Sequence, residues 1–366
     1  MNCFAETSLN HSGIEFVLTD KQKEAKGYIE DAPFCSICIA NYNGEKFIEA
    51  CITSVLEQDI DLKIEILVHD DASTDNSVSF IKSRFPEVIL IESTQNVGFC
   101  RSNNRMVDQA RGRFILLLNN DAALRRDALR TLHMMYEKHG EGIYGLPQYN
   151  MQTGTLIDRG RLLDPFYNPV PNTNYEREDV ATITGACLFI SKDLWRELGG
   201  FPSWFDSLAE DLYICSLARL RGYSVKVAFE SGFDHWIGKS LGGGKVTARQ
   251  TLSTNFQRRA KSERNKTFAM AILIPAEIFL PLLCLHLSTL CIEGILLTLF
   301  KCDRKIWSCI YKETFVSLYK KKSFLMSCRK NIQVNRNQSF LEYCSVCSPI
   351  PHKLRMFLKY GTPKIS

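Results

Sequence analysis

Between Pro33 and Phe229 short apolar runs alternate with segments of helical periodicity, and the runs end in clusters of Asn and Asp. The first run, Phe34 to Ala40, closes on Asn41, Asn43 and Gly44, after which Phe47, Ile48, Cys51, Ile52, Val55 and Leu56 follow at helical spacing. Ile64 to His69 closes on Asp70 and Asp71, and Ser73 or Asp75 stands where it can cap a helix carrying Val78, Ile81 and Phe85. Val88 to Ile91 leads through Asn96 to a helix ending near Ala110, and Phe114 to Leu118 closes on Asn119, Asn120 and Asp121. Strands separated by single helices predict an α/β fold in which a mostly parallel, Rossmann-like sheet is covered on both faces. Ligands of such sheets bind beyond the carboxyl ends of the strands. One polar cluster there is ordinary turn chemistry, whereas four on one edge predict a site.

Beyond Asp121 the pattern loosens. Residues from Tyr144 to Tyr175, rich in Pro, Gly and Asn, read as loop, and Val180 to Ser191 reads as a strand with a Gly inside it. A helix then stops at Gly199 and Gly200, a second one opens on Glu210 and Asp211 and ends at Gly222, and Tyr223 to Phe229 alternates as a strand does.

Charge divides the chain. Residues 245–366 carry 21 Lys and Arg against 6 Asp and Glu, while residues 1–244 carry 24 against 34. An acidic body with a basic tail predicts an anionic surface, here a membrane and not nucleic acid, as the partner of the tail. The expected division is a polar segment at 1–32, a catalytic domain at 33–245 and a basic, apolar helical region at 246–366. That last region contains an apolar stretch from Phe268 to Phe300, interrupted by Pro275, Glu277, Pro281, His286 and Glu293. Its longest stretch free of acidic and strongly basic residues, Ile278 to Ile292, is shorter than the roughly 20 residues of a spanning helix. One or two helices lying in the membrane interface are therefore expected in preference to a span or a soluble helical subdomain. Arg258, Arg259, Lys261, Arg264 and Lys266 before the stretch, and Lys301, Arg304 and Lys305 after it, flank it symmetrically. Lys320 to Lys322 and Arg329 with Lys330 are expected to add attraction to anionic lipid, and removal of the chain after Lys245 is expected to release the protein from membranes.

The N-terminus bears Glu6, Glu15, Asp20 and Glu24 and lacks the basic-then-apolar order of a signal peptide. The 14 cysteines are spread over the chain and fit a reducing, cytosolic compartment; the single CxxC of Cys344 and Cys347 has no second pair to close a zinc site.

The ordered pieces SICIANYNGEKFIEACITSVLEQ, ILVHDDASTDNSV, NVGFCRSNN, ARGRFILLLNND, ITGACLFISKDLWRELGGF and AEDLYICSLARLRGYSV resemble family 2 glycosyltransferases of GT-A fold. Similarity is greatest to the bacterial rhamnosyl- and galactofuranosyltransferases of cell-surface polysaccharides, and it covers about residues 33–240. The resemblance implies an inverting enzyme that moves a sugar from a nucleoside diphosphate donor to an acceptor hydroxyl with Mg²⁺ or Mn²⁺. A lipid-linked or cell-envelope glycan is the implied acceptor, at the cytoplasmic face of the membrane.

On this resemblance Asp121 ends the family's metal-binding DxD and Asn119 replaces its first acid, so a neutral carbonyl stands where a charge is usual. His235 completes the metal shell. Asp70 and Asp71 hold the base and ribose; a carboxylate at Asp71 can accept the N3–H of uracil or thymine, which implies UDP or dTDP. Asn43, Asn104 and Asn120 line the same pocket. Asp211 is the implied general base, with Glu210 as its helper. Tyr213 departs from the family's EDxD continuation, and Gly242 to Gly244 with Lys239 and Lys245 form either a loop over the diphosphate or a plain linker.

Two other classes compete. A catalytically silent glycan-binding or scaffold protein is compatible with the missing first acid of DxD. Nucleotidyltransferases and dinucleotide dehydrogenases need a Gly-rich first loop that Asn41 to Gly44 does not provide.

Overall fold

The computed structural model describes residues 32–236 and 252–365, together with the backbone of residues 245–246. The polar segment at 1–31 and the glycine–lysine segment, apart from the Lys245 backbone, lie outside the described residues.

Alternation of strand and helix holds through the first half of the chain: β1 (Cys35–Asn41), α1 (Ile48–Leu56), β2 (Ile64–Asp70), α2 (Ser77–Arg84), β3 (Ile89–Glu92), α3 (Phe99–Gln109) and β4 (Phe114–Asn119). There follow β5 (Ala122–Leu124), α4 (Ala128–His139), β6 (Gly142–Gly145), β7 (Gln148–Asn150), β8 (Leu156–Asp158), β9 (Arg161–Leu163) and β10 (Pro169–Pro171). The body closes with β11 (Cys187–Ser191), α5 (Lys192–Leu198), α6 (Glu210–Leu220), β12 (Ser224–Val227) and β13 (Phe233–His235).

Seven strands form the central sheet in the order β12-β6-β11-β4-β1-β2-β3. Only β11 runs against its neighbours, β4 and β6. Phe114 to Leu118 of β4 are buried throughout, as a strand covered on both faces requires. Because β1 pairs with both β2 and β4, the order reverses at β1, where an open α/β sheet forms its binding crevice. Register completes the alignment: Asn41 lies opposite Asp70, and Ala40 lies opposite Asn119. The polar strand ends are therefore brought to one edge.

Two readings of the sequence need correction. The stretch from Tyr144 to Tyr175 is not loop alone, since it contains β7 to β10; three-residue strands are too short to register as a period-2 pattern. In Val180 to Ser191 only Cys187–Ser191 is a strand, because the chain bends at Gly185 and turns its N–H toward α6.

The C-terminal region consists of α7 (Phe256–Leu273), α8 (Phe279–Lys301), α9 (Lys312–Val334), α10 (Phe340–Ser345) and α11 (His352–Tyr360). Its packing is continuous with the sheet domain. Phe268, Met270, Ile272 and Leu273 of α7 and Leu325, Cys328 and Ile332 of α9 share one buried cluster with Leu117, Leu188 and Leu217. Arg329, expected to face lipid, is instead buried and donates to the carbonyls of Ile272 and Ile274 at 3.3 and 2.6 Å. Those carbonyls end α7 before Pro275 and have no helical amide to satisfy them, so a cation at that end is favoured.

Candidate active site

A cavity of about 690 Å³ opens at the carboxyl edge of the sheet, between the strand ends, the start of α6 and the inner face of α7. Its floor is a mesh of amides and hydroxyls. Asn41 Nδ2 donates to Asp70 Oδ1 at 2.8 Å and to Ser77 Oγ at 3.0 Å, while Asn120 Nδ2 donates to Asn41 Oδ1 at 2.8 Å. Gly44 is required beside this mesh, because a Cβ there would overlap the Asn41 and Asn120 side chains.

Asp71 lies on the wall, and its carboxylate accepts the backbone N–H groups of Val97 and Gly98 at 2.6 and 2.9 Å, which ties β2 to the start of α3. Each oxygen keeps a lone pair for a second donor. Asn119 and Asn120 also line the wall. Three expected contacts do not. Asp70 is consumed by Asn41 and by the N–H and hydroxyl of Ser73, Asn43 accepts from the Thr74 N–H, and Asn104 clasps the N–H and carbonyl of Phe201. Each polar group is satisfied by a neighbouring turn, a local competition that residue type alone does not reveal.

At the tip of β4 two oxygens are buried without partners, Asn119 Oδ1 and Asp121 Oδ2. Asp121 is fully buried, off the cavity wall, and its Oδ1 lies 2.9 Å from Nε2 of the wall residue His235. Strand pairing sets this up, since His235 lies opposite Ala122. Gln148 Nε2 lies 2.7 Å from His235 Nδ1, and Gln148 Oε1 has no partner. With the amide turned over, Nδ1–H would donate to that oxygen and leave the Nε2 lone pair free. Two partnerless oxygens and one imidazole fit a hard divalent cation that draws its remaining ligands from outside the protein. Among the described residues no group of three His, Cys, Asp or Glu side chains forms a cage without that help.

Two carboxylates line the same cavity from the start of α6. Asp211 Oδ2 accepts the Gly185 N–H at 3.3 Å and lies 4.0 Å from Arg161 Nη1. Glu210 is buried with Oε2 unpartnered. Burial, and then the adjacent Asp211 carboxylate, pushes the Glu210 pKa up to about 8. The preceding loop is strained: Asp206, Leu208 and Ala209 all have positive φ, at 70°, 72° and 68°. Asn265 of α7, itself fully buried, holds that loop by donating to the carbonyls of Phe205, Ser207 and Leu208, each at 2.9 Å.

The sequence reading missed the contribution of α7. Arg258, Lys261 and Lys266 line the cavity, where they had been expected to flank a membrane segment. Their spacing along one helical face was the available signal. Lys261 pairs with Asp206 at 2.9 Å, and Lys266 pairs with Glu263 at 2.7 Å.

Residues 36–199 match the family described as Glycosyl transferase family 2. These residues form a family 2 glycosyltransferase domain. Its fold is GT-A. A crystal structure of residues 1–349 of TarS from S. aureus, in complex with UDP-GlcNAc, superposes with a TM-score of 0.52 over 84% of this chain and 93% of that one, at 14% identity. Among curated relatives, the hyaluronan synthase of Pasteurella multocida is 32% identical over 193 residues, which is 51% of this chain and 19% of that protein. The putative teichuronic acid biosynthesis glycosyltransferase TuaG of Bacillus subtilis is 26% identical over 165 residues, 44% of this chain and 62% of that protein. The chain thus aligns with less than two thirds of the length of either relative.

Proposed function

We propose that the protein is an inverting glycosyltransferase that moves a sugar from a UDP or dTDP donor to a hydroxyl of a lipid-linked or cell-envelope glycan. The observation that carries this reading is one cavity that brings Asn119 and His235, backed by the partnerless oxygens of Asn119 and Asp121, together with the carboxylates of Glu210 and Asp211. The names of the relatives, synthases and transferases of surface polysaccharides, support the substrate class.

In this mechanism Asp71 receives the N3–H of the pyrimidine, and the diphosphate lies along Asn119 and Asn120. Asp121, His235 and Asn119 would hold a divalent cation, Mg²⁺ or Mn²⁺, whose chemistry there would be to supply positive charge to a leaving diphosphate. Asp211 takes the proton of the acceptor hydroxyl as its oxygen attacks the anomeric carbon from the face opposite the phosphate. The C–O bond to the acceptor forms as the bond to the diphosphate oxygen breaks, inverting the anomeric centre.

Attachment to the cytoplasmic face of a membrane is assigned to α8, whose 23 residues are apolar enough to cross a bilayer. His286, Leu290, Gly294 and Leu297 are buried, whereas Leu285, Ile292, Leu296 and Leu299 are exposed on the opposite side. Glu293 faces the protein, paired with Arg259 and with Lys353 at 2.7 Å, so the outer side is uninterrupted by charge. One apolar side backed by packed protein suits a helix lying in the interface.

A thermal-shift screen of UDP, dTDP, GDP and ADP with and without Mn²⁺ tests the donor assignment. Stabilisation by UDP or dTDP that increases with the metal is expected; equal response to all four would overturn the pyrimidine assignment.

A further inference from the structure

The mechanism leaves unused the cation that α7 presents beside the base. Of the four basic side chains on the cavity wall, three are matched: Lys261 by Asp206, Lys266 by Glu263, and Arg161 by Asp158 at 3.1 Å. Arg258 lines the same wall, and among the described residues its guanidinium has no hydrogen-bond or ion-pair partner. Burial holds its pKa below the ordinary guanidinium value, and the charged groups acting on it are Glu210 and Arg161. Glu210 does not pair with it: Glu210 Oε2 has no partner, and no hydrogen bond or ion pair joins the two side chains among the described residues. Residues 237–251, which follow His235 and Trp236, contain Lys239, Lys245 and Arg249 but no carboxylate. A half-buried guanidinium without a counter-ion is costly unless a ligand supplies the charge.

Position decides which ligand. Lys261 and Asn265, one and two turns beyond Arg258 on α7, hold Asp206 and the carbonyls of Phe205, Ser207 and Leu208, the loop that leads into Glu210 and Asp211. Arg161, on the same wall, lies 4.0 Å from Asp211, where the acceptor hydroxyl must arrive. We infer that Arg258, with Arg161 beside it, forms an anion subsite for the acceptor, so that the acceptor glycan carries a carboxylate or phosphate close to the hydroxyl that is glycosylated. A planar guanidinium fork binds either oxyanion through two parallel hydrogen bonds, which an uncharged sugar does not offer. This inference rests on the glycosyltransferase reading, and it adds the chemical class of the acceptor.

Ligand-detected NMR on the full chain, with and without saturating UDP, tests it with three probes: methyl glucuronide, glycerol phosphate and neutral methyl glucoside. The expected result is binding of at least one charged probe and none of the neutral one. Arg258→Gln should weaken the charged probe roughly 10- to 100-fold, as loss of a charge-assisted hydrogen-bonded pair does, and leave UDP affinity unchanged. Arg258→Lys should fall between, and it provides the measurement if the Gln variant does not fold. The tighter of the two charged probes distinguishes a carboxylate acceptor from a phosphate one. Equal binding of the neutral probe, no loss in Arg258→Gln, or an equal loss of UDP affinity would overturn the subsite. Failure of the wild-type chain to bind any nucleotide would overturn the glycosyltransferase reading instead, and the probes would still report on the anion site.

Discussion

Two adjacent carboxylates at the start of α6 have different surroundings and are expected to behave differently. Asp211 is oriented by the Gly185 N–H and stands near Arg161, so replacing it with Asn preserves shape and removes the proposed proton acceptor. Asp211→Asn should retain UDP binding and lower transfer by about 10²- to 10⁴-fold, measured as turnover against nucleotide affinity in the same preparation. Glu210 tests the other environment. Its pKa is raised from 4.5 to about 8, so the folded state holds a proton that the unfolded chain releases near 4.5. The associated stability is fully present below pH 4.5 and is lost as pH rises through 8. Glu210→Gln should therefore match the wild-type melting temperature near pH 4.5 and exceed it at pH 9; parallel melting curves across that range would refute the assignment. At this scale the sequence was enough to place Asn119 and Asp211 on the cavity wall, at a strand tip and a helix start. It was not enough for Asn43, Asp70 and Asn104, because the same polar side chain can serve a ligand or a protein partner, and here Thr74, Asn41 and Phe201 take it.

Among the elements, α7 joins the chemistry to the rest of the body. Its Asn265 restrains a loop in which Asp206, Leu208 and Ala209 occupy the left-handed region, a conformation costing of order 1 kcal/mol or more at each non-glycine residue. Asn265→Ala removes all three hydrogen bonds at once and lets the loop relax, carrying Asp211 with it. The expected effect is a kcat lowered about 10-fold or more with little change in the donor KM, since the donor's contacts lie at the strand tips; displacement of a base by about 1 Å is enough for such a loss. A fall in thermal stability without any fall in kcat would make Asn265 only structural. The basic residues of this helix were misread from sequence for a physical reason. A cationic run before an apolar stretch looks the same whether it meets lipid headgroups or acids of the protein, and two of the acids that answer it, Asp206 and Glu293, belong to separate elements of the fold. The strand–helix alternation survived because it is local and repeated, whereas this pairing is long-range.

The whole molecule does not divide where its charge does. Phe268, Met270, Ile272 and Leu273 lie beyond position 245, yet they are buried against the sheet domain together with residues of α6 and β11. Each is worth about 1.5–3 kcal/mol when fully buried, and together they approach the whole stability of an ordinary domain. Ending the chain after Lys245 would uncover this surface, so the truncated protein should aggregate, and its pelleting would say nothing about lipid. A sharper test alters only the outer face of α8. Leu285, Ile292 and Leu299 recur at seven-residue intervals on the side away from Leu290 and Leu297, and all three are exposed. Replacing them together with Glu places like charge against an anionic headgroup layer while leaving the buried stripe and the Glu293 pairs intact. The full chain should sediment with anionic phospholipid vesicles, and the triple variant should remain in the supernatant with an unaltered melting temperature. If the variant still sediments with the vesicles, the membrane contact lies elsewhere, and the exposed Lys320 to Lys322 segment of α9 becomes the surface to alter next.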